Sequence, residues 1–327
     1  MAAPARLAGV LDLYRGRSSP LAAVPAAALS RRRVVLMGKG SSRFAAEPVA
    51  ALLRARGIDA VAELASTGLP TAPARDLLAV GISASGRTPE TVEALARHRG
   101  AGVTLALTND PGGELAAVSD HVLPLAAGRE EGGVACLTFQ ATLAVLLLLA
   151  GALSRDPVDR SLDDAVAAAS ALREGRGEWL PEVAALLAGA NAIHLAAPAE
   201  RISSSLQGAL MLREGPRLVA AAGETGDWPH VDVYLARRPG YALVLFTGSR
   251  FDEEVLRWAR ERDAAVVAVG SSPPGARVAV GLAGARWPIP LLVETGVAEL
   301  VAAELWRAGV ERGDPALVDA GRGASGL

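Results

Sequence analysis

Leu77-Leu78-Ala79-Val80-Gly81-Ile82, running into Ser83-Ala84-Ser85-Gly86-Arg87-Thr88-Pro89-Glu90-Thr91, decides how this chain is read. The first six residues are an apolar run bounded by turn formers, the pattern of a buried strand. Val92-Glu93-Ala94-Leu95-Ala96-Arg97-His98 then shows helical apolar spacing. Small hydroxyl residues and one glycine fill the turn between them. Pro89 suits the first helical turn, where its missing N–H costs nothing. Backbone N–H groups and the helix dipole make such a turn attractive to an anion. Ser83, Ser85 and Thr88 add three hydroxyl donors, so the expected guest is a phosphate monoester.

Outward from that turn, strand and helix patterns alternate. Strands are expected at Val34 to Gly38, Asp59 to Leu64, Leu77 to Ile82, Val103 to Leu107 and His121 to Leu125. Helices are expected at Phe44 to Arg56, Glu90 to Arg99 and Leu137 to Leu153. Alternation of this kind argues a parallel sheet covered on both faces. A polar joint near Leu153 to Arg160 is followed by helical patterns at Asp163 to Arg173 and Trp179 to Ala188. The scheme then starts again. Ala192 to Leu195, Leu218 to Ala221, Tyr241 to Phe246 and Ala265 to Val269 read as strands; Ile202 to Arg213 and Asp252 to Arg262 read as helices. The chain therefore reads as an internal duplication, divided at 1–155 and 156–327. Thr247-Gly248-Ser249-Arg250 occupies the place of the hydroxyl turn in the second copy but lacks its Ser-x-Ser-Gly pattern. That turn is expected to be structural, leaving one phosphate cradle.

The 327 residues are half apolar with few aromatics, which suits α/β layers. A net charge of −2 provides no basic field for nucleic acid. Apolar runs such as Leu143 to Leu153 are short for a bilayer, and no signal peptide is evident, so the expectation is a cytoplasmic protein without a membrane partner. Cys136 is the single cysteine, so no intrachain disulfide forms. No Cys or His spacing points to a metal, and no cofactor is expected. Lys39 is the only lysine; arginine supplies every other basic side chain, as a GC-rich genome would produce.

Gly40-Ser41-Ser42 follows the first strand, so it also lies at a carboxyl end, where open α/β sheets bind ligands. Ser42 is a candidate for a second contact to phosphate or sugar, its alternative being a plain helix N-cap. Glu214 ends an expected helix, where the dipole disfavours a carboxylate. It is a candidate general base near a sugar C1–C2 bond, or else an ion-pair partner of a nearby arginine. His230 lies in a glycine-rich segment and is either a proton shuttle for sugar-ring opening or a surface histidine. His98 reads as a helix-end residue complementing the dipole, His121 as the start of an edge strand, and His194 as a satisfied core or cleft histidine.

Ser83-Ala84-Ser85-Gly86-Arg87-Thr88 resembles the Ser-x-Ser-Gly-x-Thr phosphate loop of the sugar isomerase (SIS) domain family. The similarity is nearest to the isomerase half of glucosamine-6-phosphate synthases, which is two SIS domains in tandem. The resemblance implies an α/β fold of two tandem SIS domains, each a mostly parallel five-stranded sheet flanked by helices in a flavodoxin-like sandwich. Gly40-Ser41-Ser42 resembles the family's Gly-Thr-Ser turn. Glu131-Gly132-Gly133-Val134-Ala135 resembles its Glu-x-Gly-Val-Ala segment, whose backbone lines the sugar site. The resemblance thus implies contacts from Ser42, Ser83, Ala84, Ser85, Gly86, Thr88, Val134 and Ala135. Glu214 falls on the family's catalytic glutamate. Glu224-Thr225-Gly226-Asp227-Trp228-Pro229-His230 resembles its Glu-Thr-Gly-Glu-Phe-x-His run, whose histidine opens the sugar ring in the active site of the neighbouring subunit. A homodimer with shared active sites is implied.

The departures are equally specific. Ala84 replaces a family glutamine and Met211 a family lysine. The tail Asp314-Pro315-Ala316-Leu317-Val318-Asp319-Ala320-Gly321-Arg322-Gly323 lacks the family's carbonyl-handling lysine. Arg322 supplies positive charge there but forms no Schiff base at ordinary pH. No N-terminal amidotransferase cysteine is present, so ammonia is not expected from glutamine. The implied activities are aldose–ketose isomerisation, or deamination or deglycation, of a phosphorylated amino sugar such as glucosamine 6-phosphate, or of fructose 6-phosphate. The alternative is a non-catalytic sugar-phosphate regulator.

Overall fold

The computed structural model describes residues 2–128, 130, 134–157, 159–282 and 286–318. They form two compact units that part at about residue 166.

The first unit is built on β1 (Arg33–Gly38), β2 (Asp59–Leu64), β3 (Leu77–Ile82), β4 (Val103–Thr108) and β5 (His121–Pro124). All pairings are parallel, in the order β2-β1-β3-β4-β5. Every residue of central β3 is buried, as expected of a strand covered on both faces. Val35, Met37, Ala79 and Ala106 from the sheet pack with Leu95 and Leu115 from helices on one face. The helix Ser41–Ala55 packs on β1 and β2, and the helix Leu137–Ser154 packs against it and against an N-terminal helix, Ala2–Leu13. That last helix is absent from the sequence expectation. The helix Leu137–Ser154 is longer than the apolar run read from sequence, and by length and composition it is able to span a bilayer. It is 72% buried inside the protein, so it serves as a core helix of this unit.

The second unit repeats the arrangement with β6 (Ala192–Ala197), β7 (Ala220–Glu224), β8 (Tyr241–Phe246), β9 (Ala265–Gly270) and β10 (Val278–Gly281). Its sheet is again parallel, and read from the other edge its order is β7-β6-β8-β9-β10, matching the first sheet strand for strand. Central β8 is wholly buried. β10 is an addition to the sequence expectation, and β7 lies further along the chain than Leu218 to Ala221. Leu243, Leu245, Val255 and Ala259 form a core around Trp228, which is 0% exposed and donates its indole N–H to the Tyr241 hydroxyl at 2.9 Å.

In each sheet the chain runs outward in both directions from a central pair, β1/β3 or β6/β8. Such a reversal opens a crevice beyond the carboxyl ends of that pair, the usual ligand position in open α/β sheets. The residues leaving β1 and β3 are Lys39 to Ser42 and Ser83 to Thr88.

Candidate functional site

The turn after β3 gathers its hydroxyls. Ser83 is 3% exposed, and its Oγ lies 2.9 Å from Thr88 Oγ1 and 3.5 Å from Ser85 Oγ. Ser85 Oγ also accepts the Arg87 N–H at 3.3 Å. Gly86 adopts φ +66°, and a Cβ there would stand 2.8 Å from Thr108 Oγ1. A side chain at this position meets both backbone strain and a clash. The exit of β4 holds the turn in place: Asn109 N–H and the Thr108 hydroxyl donate to the Ala84 carbonyl at 3.0 and 3.3 Å, and Leu115 N–H donates to the Gly86 carbonyl at 2.9 Å. Turn carbonyls are thus engaged by the neighbouring loop, while the hydroxyls gather at the start of the helix Pro89–Ala96, with Pro89 in its first turn. Arg87 pairs with Asp110 at 3.2 Å.

The turn after β1 lies beside it. The helix begins at Ser41, with Gly40 as its N-cap. Ser42 is therefore a first-turn residue rather than the cap. Gly38 lets the two backbones approach, since a Cβ on it would meet Ser42 Cβ at 2.9 Å. Lys39 projects its ammonium onto the Glu90 carboxylate, which carries the opposing charge in the first turn of the Pro89–Ala96 helix. The lysine, foremost by its hydrogen bond, holds the Glu90 carboxyl below the usual range. This pair joins positions 51 residues apart, and no spacing in the sequence announces it.

Val134 and Ala135 are half-buried ahead of the helix Leu137–Ser154. Glu131, Gly132, Gly133 and Arg322 lie outside the described residues.

In the second unit Glu214 is the last residue of the helix Ile202–Glu214. It is exposed and, among the described residues, forms no ion pair, so the arginine-partner alternative is not realised. Arg213 instead donates to the Ala220 carbonyl at 3.1 Å. Desolvation by surrounding protein raises the Glu214 carboxyl above its usual value, against the pull of Arg213 and Arg217. His230 is exposed on the short helix Trp228–Val231, two residues after the fully buried Trp228 that anchors it.

Two other histidines differ from expectation. His98 lies past the end of its helix, is 1% exposed, and has its pKa lowered chiefly by burial. A neutral buried ring is no cation for the dipole. His194 is buried in β6, and neither ring nitrogen has a hydrogen-bond partner; its nearest charged neighbour is Asp232, at 3.5 Å. It is a core histidine but not a satisfied one.

The turn after β8 is built from the same parts, used differently. Asp252 Oδ2 accepts the Gly248 N–H at 2.6 Å, and Oδ1 accepts the Ser249 N–H at 3.3 Å. The turn's anion-seeking N–H groups are filled by the chain's own carboxylate. Burial raises the Asp252 carboxyl, opposed by those two N–H groups and by Arg201. Arg201, 6% exposed, donates to the Thr247 carbonyl at 2.5 Å and pairs with Glu294, which is 0% exposed and accepts the Ser204 hydroxyl. Burial pushes the Glu294 carboxyl up to about 7, in spite of Arg201 and Ser204.

Residues 29–152 match the family model of the SIS domain. The matched stretch holds β1 to β5 and the hydroxyl turn, and it ends before Glu214 and His230. A glutamine–fructose-6-phosphate aminotransferase [isomerizing] of Pyrobaculum aerophilum is 29% identical over 257 residues, 76% of this chain and 43% of that protein. The chain spans about two fifths of the length of the curated relatives it matches. Among solved structures, the C-terminal domain of glucosamine-fructose-6-phosphate aminotransferase from Francisella tularensis superposes with a TM-score of 0.82 at 17% identity, covering 93% of this chain and 94% of that one. Glucosamine-6-phosphate deaminase from Thermotoga maritima gives 0.70 at 19% identity, covering 94% and 95%. At these identities the structural likeness establishes the fold: two parallel five-stranded sheets flanked by helices, as in SIS domain structures.

Proposed function

We propose that the chain is a phosphosugar enzyme with two SIS halves, acting on a phosphorylated amino sugar as an aldose–ketose isomerase or a deaminase. The observation that carries this reading is the gathered trio of Ser83, Ser85 and Thr88 hydroxyls beyond the β1/β3 ends, at a helix start. In this reading the trio and the Gly86 backbone hold the phosphate, with Ser42, Ala84, Val134 and Ala135 along the sugar and Arg322 adding charge. The isomerising aminotransferase and the deaminase among the similar proteins support a C1–C2 proton transfer on such a substrate.

His230 moves a proton between the C1 hydroxyl and the ring oxygen, opening the sugar. Glu214 takes the C2 proton, giving an enediol from a sugar or an enolamine from an amino sugar, and returns a proton to C1. From the enolamine this yields a C2 imine. Water then adds to C2 and ammonia leaves, giving the ketose phosphate. An unpaired glutamate with a raised pKa is suited to the base role, since its proton affinity is brought nearer to neutral pH. His230, anchored through Trp228 yet exposed, suits donation into a neighbouring copy, and we assign the active form as a homodimer with shared sites.

The test is Glu214→Gln assayed with glucosamine 6-phosphate and fructose 6-phosphate. The expected loss in kcat is on the order of 10²–10⁴ with little change in KM. The wild-type rate should fall on the acid side through a pKa above 4.5, because the base must be ionised. Equal turnover by mutant and wild type removes Glu214 from the mechanism. Binding of both sugars with no turnover by the wild type assigns the chain to sugar-phosphate sensing.

A further inference from the structure

The hydroxyl trio is uncharged, whereas a phosphate monoester carries close to two negative charges at neutral pH. Of the cations beside the turn, Arg87 is 70% exposed and reaches sideways to Asp110 at the exit of β4. Lys39 is placed differently. β1 and β3 pair in parallel up to Met37 opposite Gly81, and two residues beyond each stand Lys39 and Ser83. Glycines flank the lysine on both sides, and its ammonium lies on Glu90, two residues after Thr88. Both side chains of the pair remain about two fifths exposed, at 40% and 41%. An ion pair so open to water is weak and exchanges its partner readily. A lysine suits such an exchange, being a compact charge on a flexible stem that bonds phosphate without a fixed fork geometry.

Directly after β6 the second unit has Pro198 where the first has Lys39, and the next cation along the chain is Arg201. There the cation supplied after β6, Arg201, is buried and bound to both Glu294 and the Thr247 carbonyl, so it is not available to a ligand. The other cation there, Arg250 in the turn after β8, is exposed and lies over the Phe251 ring, 4.6 Å from its centroid.

We propose that Lys39 is the charged arm of the phosphate cradle, and that Glu90 is the counter-ion with which phosphate competes for it. This rests on the reading of Ser83 to Thr88 as a phosphate site and adds a residue that sets its affinity and charge preference. Because Glu90 stays beside the cradle after the exchange, its negative charge opposes phosphate. Removing that charge should therefore strengthen binding, an outcome a merely structural ion pair would not give.

The experiment is a titration of the full chain with inorganic phosphate followed by ³¹P NMR, at low and at raised NaCl, with circular dichroism to verify folding. Lys39→Met is expected to weaken phosphate binding about tenfold or more, the scale of a lost charge-assisted bond. Glu90→Gln is expected to tighten it severalfold. The salt dependence should be shallower for Lys39→Met than for wild type, since one attractive charge is gone. Ser83→Ala is run in parallel and loses binding if the cradle reading holds. Unchanged affinity in Lys39→Met alongside a loss in Ser83→Ala overturns the role of Lys39 and keeps the cradle. Unchanged affinity in both, or no binding by the wild type, overturns the cradle and the inference with it.

Discussion

The turns after β3 and β8 hold equivalent places in two sheets of identical strand order, yet they treat negative charge in opposite ways. After β8, Asp252 reaches back to the Gly248 and Ser249 N–H groups, and Arg201 is buried against Glu294. After β3 the carboxylate beside the turn, Asp110, pairs with the Arg87 side chain. Three hydroxyls gather there, and the acidic residue in the first turn of the following helix, Glu90, is turned towards Lys39. A strand-to-helix turn in a parallel sheet creates an anion site by geometry alone. Whether that site serves binding or stability depends on whether the chain supplies its own anion. In the proposed reading the first turn leaves its donors for a ligand; in the second the same geometry is a fixed internal contact.

The comparison breaks most visibly at Glu294. Glu294→Ala strips Arg201 of its partner in a buried setting, and losses of about 3–5 kcal/mol are typical of that change. Urea unfolding followed by near-UV circular dichroism should show a markedly lower midpoint. A midpoint equal to wild type would mean that Arg201 is not a lock. Acidity offers a second view of the same group. The folded chain retains the Glu294 proton up to about pH 7, whereas the unfolded chain releases it near the ordinary value of 4.5. Stability from this raised pKa is whole below the unfolded value and is lost as pH rises towards the folded one. Glu294→Gln should flatten that part of the stability profile.

Ser83→Ala carries the next largest effect, on binding rather than folding. A hydrogen bond to a charged ligand contributes about 1.5–3 kcal/mol, so affinity for a sugar phosphate should fall about 10- to 100-fold. Isothermal titration with glucosamine 6-phosphate measures it. The urea midpoint should move little, because among the described residues the Ser83 hydroxyl hydrogen-bonds only to Ser85 and Thr88. A large loss of stability with intact binding would reverse the roles assigned to the two turns.

Local signals account for what the sequence reveals. β2, β3 and β8 begin and end where their apolar or alternating runs do, because nothing but side-chain pattern and flanking turn residues defines them. The hydroxyl turn was legible for the same reason: its residues are contiguous. β7 was displaced because Ala-Ala-Ala-Gly-Glu carries no β-branched or aromatic residue. β10 was missed because four residues with one partner strand give too short a pattern. The N-terminal helix is Ala-rich and interrupted by Pro4 and Gly9, and was passed over, although Leu7, Val10 and Leu11 are buried. Charge placement was the least legible layer. Lys39 meets Glu90 across 51 positions and Arg201 meets Glu294 across 93, pairings that only the sheet topology creates. Seen as a sequence, Lys39 is a solitary lysine; in the fold it stands at the exit of β1, beside the strand that leads into the hydroxyl turn.

The smallest predicted effect tests whether the second turn is still an anion site beneath its own carboxylate. Asp252→Ala removes the acceptor of two backbone N–H groups at a helix start, a loss of roughly 1 kcal/mol. Geometry is otherwise retained, because Arg201 remains bound to Glu294 and Thr247. The Gly248 and Ser249 donors then face water, and an added anion has a reason to occupy them. In a Ser83→Ala background, where the first turn contributes little binding, inorganic phosphate should restore part of the stability lost by Asp252→Ala. Chloride at equal ionic strength should restore less, since it lacks the oxygens to accept both N–H groups. The parent Ser83→Ala protein should show no such phosphate-specific gain. Equal responses to the two salts would make Asp252 an ordinary loop brace, and the likeness of the two turns would then be one of chain path alone.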